Sequence, residues 1–179
     1  MDDQIEETLA VLRRTPTTLR ALLVGLPDGW IRATEGAATW SAYDVVGHLL
    51  HGETTDWIPR LRIILEQGEG HPFPTFDRTA MFEESRGKPL EDLLDTFAAA
   101  REVNLETLAE LNLTPELLAR TGTHPSLGTV TAGNLLATWG LHDLNHLGQI
   151  VEVLAHQHES AVGPWKMYLG ILNRPILTE

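Results

Sequence analysis

The stretch Ala132–His156, with the sequence AGNLLATWGLHDLNHLGQIVEVLAH, predicts one long helix near the end of the chain. Its apolar residues recur with the 3.6-residue period of a helix, and Thr131 stands directly before it as an N-cap. A polar band interrupts the apolar surface, formed by His142, Asn145, His146 and Gln149. The segment favours a helical fold in which these polar groups lie among apolar residues.

Two segments earlier in the chain show the same period. Pro16 divides the opening helical segment in two, because a proline inside a helix removes a backbone hydrogen bond. Ser41 followed by Asp44 resembles a capping box with aspartate in the glutamate position. This pair predicts a helix over 42–66, with a kink at Pro59.

A further long helix is predicted over 90–111, where leucines recur at helical spacing. The segment 68–88 is a long connection with enough aromatic side chains to pack against helices. Residues 122–128 are rich in turn formers and are predicted as a loop, and no strand-like alternation of useful length occurs. We therefore expect an all-α four-helix bundle with additional short helices, formed by a single domain over 1–179.

Composition restricts the function. The 13 Lys and Arg residues against 25 Asp and Glu residues give a formal net charge of −12, which disfavours binding to nucleic acid. No apolar run approaches the length of a membrane span, and the acidic start is unlike a secretory signal, so we expect a cytoplasmic protein. The chain has no cysteine, so thiolate sites are excluded and any metal must be bound by His, Asp or Glu.

His142 and His146 are four residues apart on the predicted last helix. That spacing separates them by about 40° around the helix axis and about 6 Å along it, so their imidazoles can converge. Two histidines on an apolar helix can also be core residues that neighbouring groups hydrogen-bond.

His48 strengthens the metal interpretation. It lies in the middle of an apolar run, VVGHLL over 45–50, on another predicted helix. Facing helices of a bundle build metal sites in this way, and three neutral imidazoles suit a divalent ion such as zinc, nickel or iron. Three protein ligands leave coordination positions open for water or substrate.

Several neighbouring residues are candidates for orienting a ligand imidazole or lining a pocket: His51, Thr55, Trp139, Asn145 and Gln149. His51 can equally be a solvated helix residue. Glu53 and Asp56 are expected to be charges on the helix surface. The sequence singles out no catalytic residue.

The segment HDLNH over 142–146 differs from the zinc-protease pattern H-E-x-x-H. That pattern requires glutamate after the first histidine as the general base, whereas this chain has Asp143. A zinc-protease function is therefore disfavoured.

The stretches WSAYDVVGHL over 40–49 and HDLNHLGQI over 142–150 resemble the DinB-like (YfiT/DinB) superfamily of metalloenzymes. Shorter matches occur at Thr15-Pro16, His124-Pro125 and Gly163-Pro164-Trp165. The resemblance spans nearly the whole chain.

The resemblance implies a four-helix bundle in which one histidine of the second long helix and two of the last hold a divalent metal. The matching positions are His48, His142 and His146. It also implies a homodimer, since members are often dimeric. Some relatives are S-transferases or isomerases that use low-molecular-weight thiols, and others are amidase-like, so the resemblance implies a metal-dependent transferase or hydrolase, with a small thiol as one candidate substrate.

Two other functions remain open from the sequence. The protein can be a non-catalytic bundle that binds a metal or ligand in a stress or sensing role. The three histidines can also be buried without any metal. A structural metal site normally has four ligands, and the sequence offers three good ones, which favours a catalytic or sensing site.

Overall fold

Four helical columns, two broken and two continuous, form the fold of the computed structural model, which describes residues 3–36 and 39–173. In chain order, the columns comprise α1 (Asp3–Leu12) with α2 (Thr15–Leu23), α4 (Ala42–Thr55) with α5 (Trp57–Glu66), α7 (Leu90–Glu110), and α9 (Ala132–His156). This arrangement confirms the predicted all-α four-helix bundle. Over the described residues, no helix combines the length and the apolarity that crossing a membrane requires.

Short elements connect and flank the columns. The short α-helices are α3 (Asp28–Ile31), α6 (Ala80–Ser85) and α8 (Pro115–Leu118). Short segments of 3₁₀-helix cover Gly68–Gly70, Glu159–Ala161, Gly163–Tyr168 and Gly170–Asn173. The strands are β1 (Thr121–His124) and β2 (Gly128–Thr131).

The expectation of a fold without a sheet is wrong at residues 121–131. β1 and β2 form an antiparallel hairpin in which Thr121 faces Thr131 and His124 faces Gly128. Each strand has only four residues, which is too short for alternation to stand out in the sequence. The hairpin is also an anchor for the long connection, because the Phe73 amide donates to the Thr123 carbonyl over 2.9 Å.

The second column breaks earlier than expected. In place of one helix over 42–66 kinked at Pro59, α4 ends at Thr55 and α5 begins at Trp57. Pro59 has no N–H to donate to the carbonyl of residue 55, so a continuous helix would lose a hydrogen bond at this point. In the first turn of α5 the same proline needs no partner.

The starts of the two histidine-bearing helices are fixed by capping boxes. The Ser41 amide donates to Asp44 over 2.9 Å, and the Asp44 amide donates back to the Ser41 hydroxyl, which confirms the predicted cap of α4. Thr131 and Asn134 make the equivalent pair at the start of α9, with both distances 3.0 Å. These caps set where each histidine lies along its helix.

Two apolar clusters fill the interior. The first cluster joins α1, α5, the end of α7 and the start of α9, and includes Leu12, Leu61, Ile64, Leu108 and Trp139. The second cluster joins α2 and the starts of α4 and α7 to the end of α9, and includes Leu19, Val45, Leu49, Phe97 and Ile150. On α7 and α9, buried polar residues lie between the two apolar clusters. They are Arg101 on α7, and Asp143 and His146 on α9.

The connection over 68–88 packs against the bundle, as predicted, and contributes α6, which the sequence did not reveal. Phe73 and Met81 are buried. Gly47 of α4 permits the close approach of α6, because a β-carbon at this position would collide with the Ser85 hydroxyl.

Candidate metal centre

Three histidines meet between α4 and α9. The Nε2 atom of His142 lies 3.0 Å from Nε2 of His48 and 3.1 Å from Nε2 of His146. One ring nitrogen from each residue falls within 4.8 Å of the others. The structure therefore brings together the three residues that spacing and resemblance selected, and we call them the histidine cluster.

Aromatic side chains surround the histidine cluster. The ring centroid of Trp40 lies 4.9 Å from that of His48, Phe76 lies 5.6 Å from His48, and Trp57 lies 5.0 Å from His142. Burial in these surroundings lowers the pKa of His48 to about 3 and the pKa of His142 to about 2, with the neighbouring histidines adding to the effect. Both imidazoles are therefore neutral at pH 7, which is the form that binds a cation.

The hydrogen bonds of the histidine cluster are incomplete. His146 Nδ1 lies 2.7 Å from Gln149 Oε1, so the proton is on Nδ1 and Nε2 carries the lone pair. Within the described part of the chain, Nδ1 of His48 and Nδ1 of His142 are buried with no hydrogen-bond partner. His142 Nε2 faces two other nitrogens, yet a neutral ring nitrogen offers one proton or one lone pair.

A divalent cation fits this arrangement. Two nitrogens bound at roughly 2.0–2.1 Å to a tetrahedral ion lie about 3.3 Å apart, close to the observed separations. A cation would accept all three Nε2 lone pairs, which the imidazoles cannot share among themselves. The all-nitrogen donor set suits zinc, nickel or iron.

Directly beside the histidine cluster lies a buried ionic network, formed by Glu53, Arg101 and Asp143. The Arg101 guanidinium donates to both Asp143 oxygens over 2.7 and 3.0 Å, and to Glu53 over 2.7 Å. Burial acts to lower the pKa of Arg101, but the hydrogen bonds to Glu53 and Asp143 outweigh it and the pKa is raised. We call this set the Arg101 network.

Other columns join the Arg101 network. Arg101 also donates to the Leu12 carbonyl over 2.7 Å, at the break between α1 and α2. The Asn104 amide and the Trp139 indole both donate to the Glu53 carboxylate, over 3.0 Å each. All four columns therefore contribute to one layer of polar contacts.

The expectation that Glu53 and Asp56 are surface charges is wrong. Glu53 is 3% exposed because it lies against Arg101 from the facing column. Asp56 is buried at the α4–α5 break and pairs with Arg60 over 2.5 Å. Burial raises the pKa of Asp56, and the Arg60 charge opposes that rise.

The sequence offered a signal for the Arg101 network. Arg101 falls four residues after Phe97 and seven before Leu108, in register with the buried stripe of α7. A cation at such a position requires a buried acidic partner. Conversely, the apolar residue Val103, two positions after Arg101, is exposed.

The five predicted neighbours occupy different places. Gln149 holds His146, and Asn145 lines the cavity described below. His51 is buried instead of solvated, and its Nδ1 lies 2.9 Å from Glu84 of α6. Thr55 is exposed and donates to the His51 carbonyl. The indole N–H of Trp139 donates to Glu53, so this side chain joins the Arg101 network and does not have the predicted role of a pocket wall.

Asp143 likewise belongs to the Arg101 network. Both of its oxygens accept from Arg101, so it is not directed at the histidine cluster as a general base. In this geometry Asp143 does not take the general-base position that the zinc-protease pattern gives to its glutamate.

The histidine cluster opens into a cavity of about 470 Å³. This volume is in the range of sites for small molecules. Its apolar walls are Trp57, Phe73, Phe76, Leu127, Val130 and Leu135, and its neutral polar groups include Asn134, Thr138 and Asn145. The connection over 68–88 and the β-hairpin thus complete a site whose histidines come from the bundle.

Residues 11–150, more than half of the chain, match the DinB superfamily. The chain belongs to the DinB superfamily. A comparison with curated proteins finds no match.

Two solved structures share the fold of this DinB-superfamily protein. YfiT from Bacillus subtilis, described as a probable metal-dependent hydrolase with an unusual four-helix bundle topology, aligns with a TM-score of 0.74 and 20% identity. The alignment covers 88% of this chain and 89% of that chain. The four-helix bundle protein TT2238 aligns with a TM-score of 0.53 and 23% identity, covering 80% of this chain and 94% of its own.

Proposed function

We propose that this protein is a metal-dependent enzyme in which His48, His142 and His146 hold one divalent ion, namely zinc, nickel or iron. One observation carries the proposal: the Nε2 atoms of three histidines meet, with His142 Nε2 3.0 Å from that of His48 and 3.1 Å from that of His146. Neutral imidazoles cannot satisfy all three of these nitrogens among themselves, and a shared cation accepts their lone pairs.

The protein's own residues prepare the site for chemistry. Gln149 fixes the proton of His146 on Nδ1, and the rings of Trp40, Trp57 and Phe76 pack against the imidazoles. A divalent ion held there supplies Lewis acidity, which makes a water or thiol nucleophilic near neutral pH. The adjoining cavity holds the molecule that reacts.

We infer hydrolysis or thiol-dependent S-transfer as the reaction class. YfiT, described as a probable metal-dependent hydrolase, supports the first through its fold. The resemblance to thiol-using relatives supports the second, with a small thiol as co-substrate from outside the chain, since the protein has no cysteine.

A non-catalytic role in binding a metal or ligand is the second candidate. The observation that favours it is that two buried carboxylates on the histidine-bearing helices, Glu53 and Asp143, are bonded to Arg101. Neither is free to move a proton during turnover. Tight binding of small ligands without any turnover by the metal-loaded protein would support this role.

Metal stoichiometry after dialysis tests the site, using protein without a His tag. We expect one ion per chain in the wild type and loss of the ion in His48→Ala, His142→Ala and His146→Ala. His124→Ala is the matched control, because His124 lines the cavity outside the histidine cluster. Full retention in the first three variants, or loss in the control, contradicts the assignment.

We also propose that the protein forms a homodimer. Its support is an apolar face of α9 that no other described element covers, with Leu141 65% and Leu144 48% exposed and Val151 at the same helical spacing. Sedimentation should show two chains for the wild type and one chain for Leu144→Glu. A single-chain mass for the wild type at micromolar concentration contradicts the proposal. The cytoplasmic location stays a prediction.

A further inference from the structure

The charged side chains of the cavity are unevenly paired. Apart from histidines, the charged residues that line it in the described part of the chain are Asp56, Arg60 and Arg78. Asp56 and Arg60 form an ion pair, and the Arg60 guanidinium also lies over the Phe73 ring, 5.4 Å from its centre. Their charges offset each other, which leaves Arg78.

Arg78 makes no hydrogen bond or ion pair to any other described residue. The adjacent acid is already engaged, because the Asp77 carboxylate accepts from the amides of Thr79 and Ala80 over 2.8 and 3.1 Å. These bonds fix the backbone of the turn that carries Arg78. Arg78 therefore lines the cavity with its guanidinium donors unpaired among the described residues.

The segment carrying Arg78 is tied to the histidines. Phe76, two residues earlier, has its ring 5.6 Å from His48 and 5.1 Å from His51. Arg78 and the three histidines of the cluster line the same cavity. They thus belong to one electrostatic environment.

This environment is locally cationic in a chain whose formal net charge is −12. A cavity lined by one sign of charge concentrates ligands of the opposite sign. With Asp56 neutralised by Arg60, and with a cation at the histidine cluster, the cavity favours an anion.

We propose that Arg78 is a specificity-determining residue that binds a carboxylate of the substrate while another part of the same molecule reaches the histidine cluster. A guanidinium forms paired hydrogen bonds with a carboxylate, which fixes orientation as well as charge. The rings of Trp57, Phe73 and Phe76 contact the apolar middle of such a molecule. The inference rests on the proposed metal site and names the substrate class as small organic carboxylates.

Binding of thiol probes to the cobalt-loaded protein tests the inference. The probes are 3-mercaptopropionate and its neutral amide, together with the longer 4-mercaptobutyrate and its amide. Their thiols bind cobalt, and visible absorption of the cobalt–thiolate reports the dissociation constant without any turnover. The ratio of the constants for each acid and its amide isolates the contribution of the carboxylate.

We expect Arg78→Gln to shift this ratio against the acid by about threefold to fivefold at low salt, the size of a solvent-exposed ion pair. Arg78→Lys should keep part of the preference, and 0.5 M salt should reduce it in the wild type. Arg62→Gln, at an exposed arginine of α5 that does not line the cavity, should leave the ratio unchanged. Arg78 is exposed, so its replacement should leave folding intact.

Two failures are distinguishable. An unchanged ratio for both probe pairs in Arg78→Gln, with one cobalt per chain still bound, overturns the inference and leaves the metal site standing. Absence of cobalt from the wild type, or its retention in His142→Ala, overturns the metal site and the inference with it.

Discussion

The histidine cluster and the Arg101 network are neighbours built from the same helices. His142 and Asp143 are consecutive on α9, and His48 and Glu53 lie within two turns of α4. Both sets are polar groups between the two apolar clusters of the bundle. They differ in what they bond.

In the Arg101 network each carboxylate is bonded to the guanidinium, whereas in the histidine cluster three ring nitrogens face one another and cannot all be satisfied by hydrogen bonds. Arg101 uses both terminal nitrogens on Glu53, Asp143 and the Leu12 carbonyl. His48 and His142 have no partner at Nδ1 among the described residues, and the histidine cluster lines a cavity. The first set stabilises the fold through its own contacts, whereas under the proposed function the second set binds a cation through its Nε2 atoms.

The largest expected effect comes from breaking the Arg101 network. Arg101→Met leaves Glu53 and Asp143 buried without their cation, which should reduce the free energy of unfolding by about 3–5 kcal/mol. Urea unfolding of the metal-free protein measures this change. Arg62→Met, at an exposed position, should stay within about 0.5 kcal/mol of the wild type. A loss below about 1 kcal/mol in Arg101→Met would mean that the Arg101 network does not stabilise the fold.

Acid should affect the histidine cluster more gradually. An unfolded histidine titrates near pH 6.5, whereas His48 titrates at about 3 in the fold, so the unfolded chain binds more protons between these values. The stability of the metal-free protein is therefore complete above pH 6.5 and falls as the pH is lowered, by up to about 1.4 kcal/mol per pH unit for each such histidine.

Urea unfolding at pH 7.5, 6.5 and 5.5 measures this slope. The double variant His48→Leu/His142→Leu should lose much of the pH dependence, while His71→Leu, at an exposed histidine, should keep it. Parallel curves for the double variant and the wild type would show that the histidine cluster is not held neutral.

The smallest expected effect concerns the hydrogen bond between His146 Nδ1 and Gln149. Gln149→Met removes the acceptor of His146 Nδ1, and metal affinity should fall by about tenfold. Gln149→Glu keeps an acceptor and should retain most of the affinity. Competition with a chelator measures the change, and Gln67→Met, at an exposed glutamine, is the control. Equal affinity in Gln149→Met and the wild type would show that this hydrogen bond does not tune the site.

Local patterns predicted the long helices well. The bounds of α9 agree with the prediction because Thr131 caps a segment of unbroken helical period. The hairpin was missed because its strands of four residues show no alternation, and its pairing depends on contacts with Phe73 that local sequence does not contain. The prediction placed the break at Pro59, one turn after its observed position at Asp56. The sequence shows the proline but not the residue at which the first helix ends.

Burial across columns was harder to predict. Glu53 and His51 are polar residues that look solvated within their own helix. They are buried because Arg101 contacts Glu53 and Glu84 contacts His51, and both partners belong to segments far along the chain. Spacing and resemblance selected the histidines, whereas the contacts of their neighbours depend on how the helices pack. Gln149 contacts His146, as a predicted neighbour should. Trp139, which was predicted to line the pocket, bonds to Glu53 instead.

During synthesis, His48 emerges from the ribosome long before His142, because 94 residues separate the two positions. A nascent chain that has emerged as far as α7 carries one histidine of the cluster, and a single imidazole holds a metal weakly. His142 and His146 emerge almost together on α9, the last long helix to be synthesised. Under the proposed site, incomplete chains that are released before α9 cannot withdraw metal from finished copies.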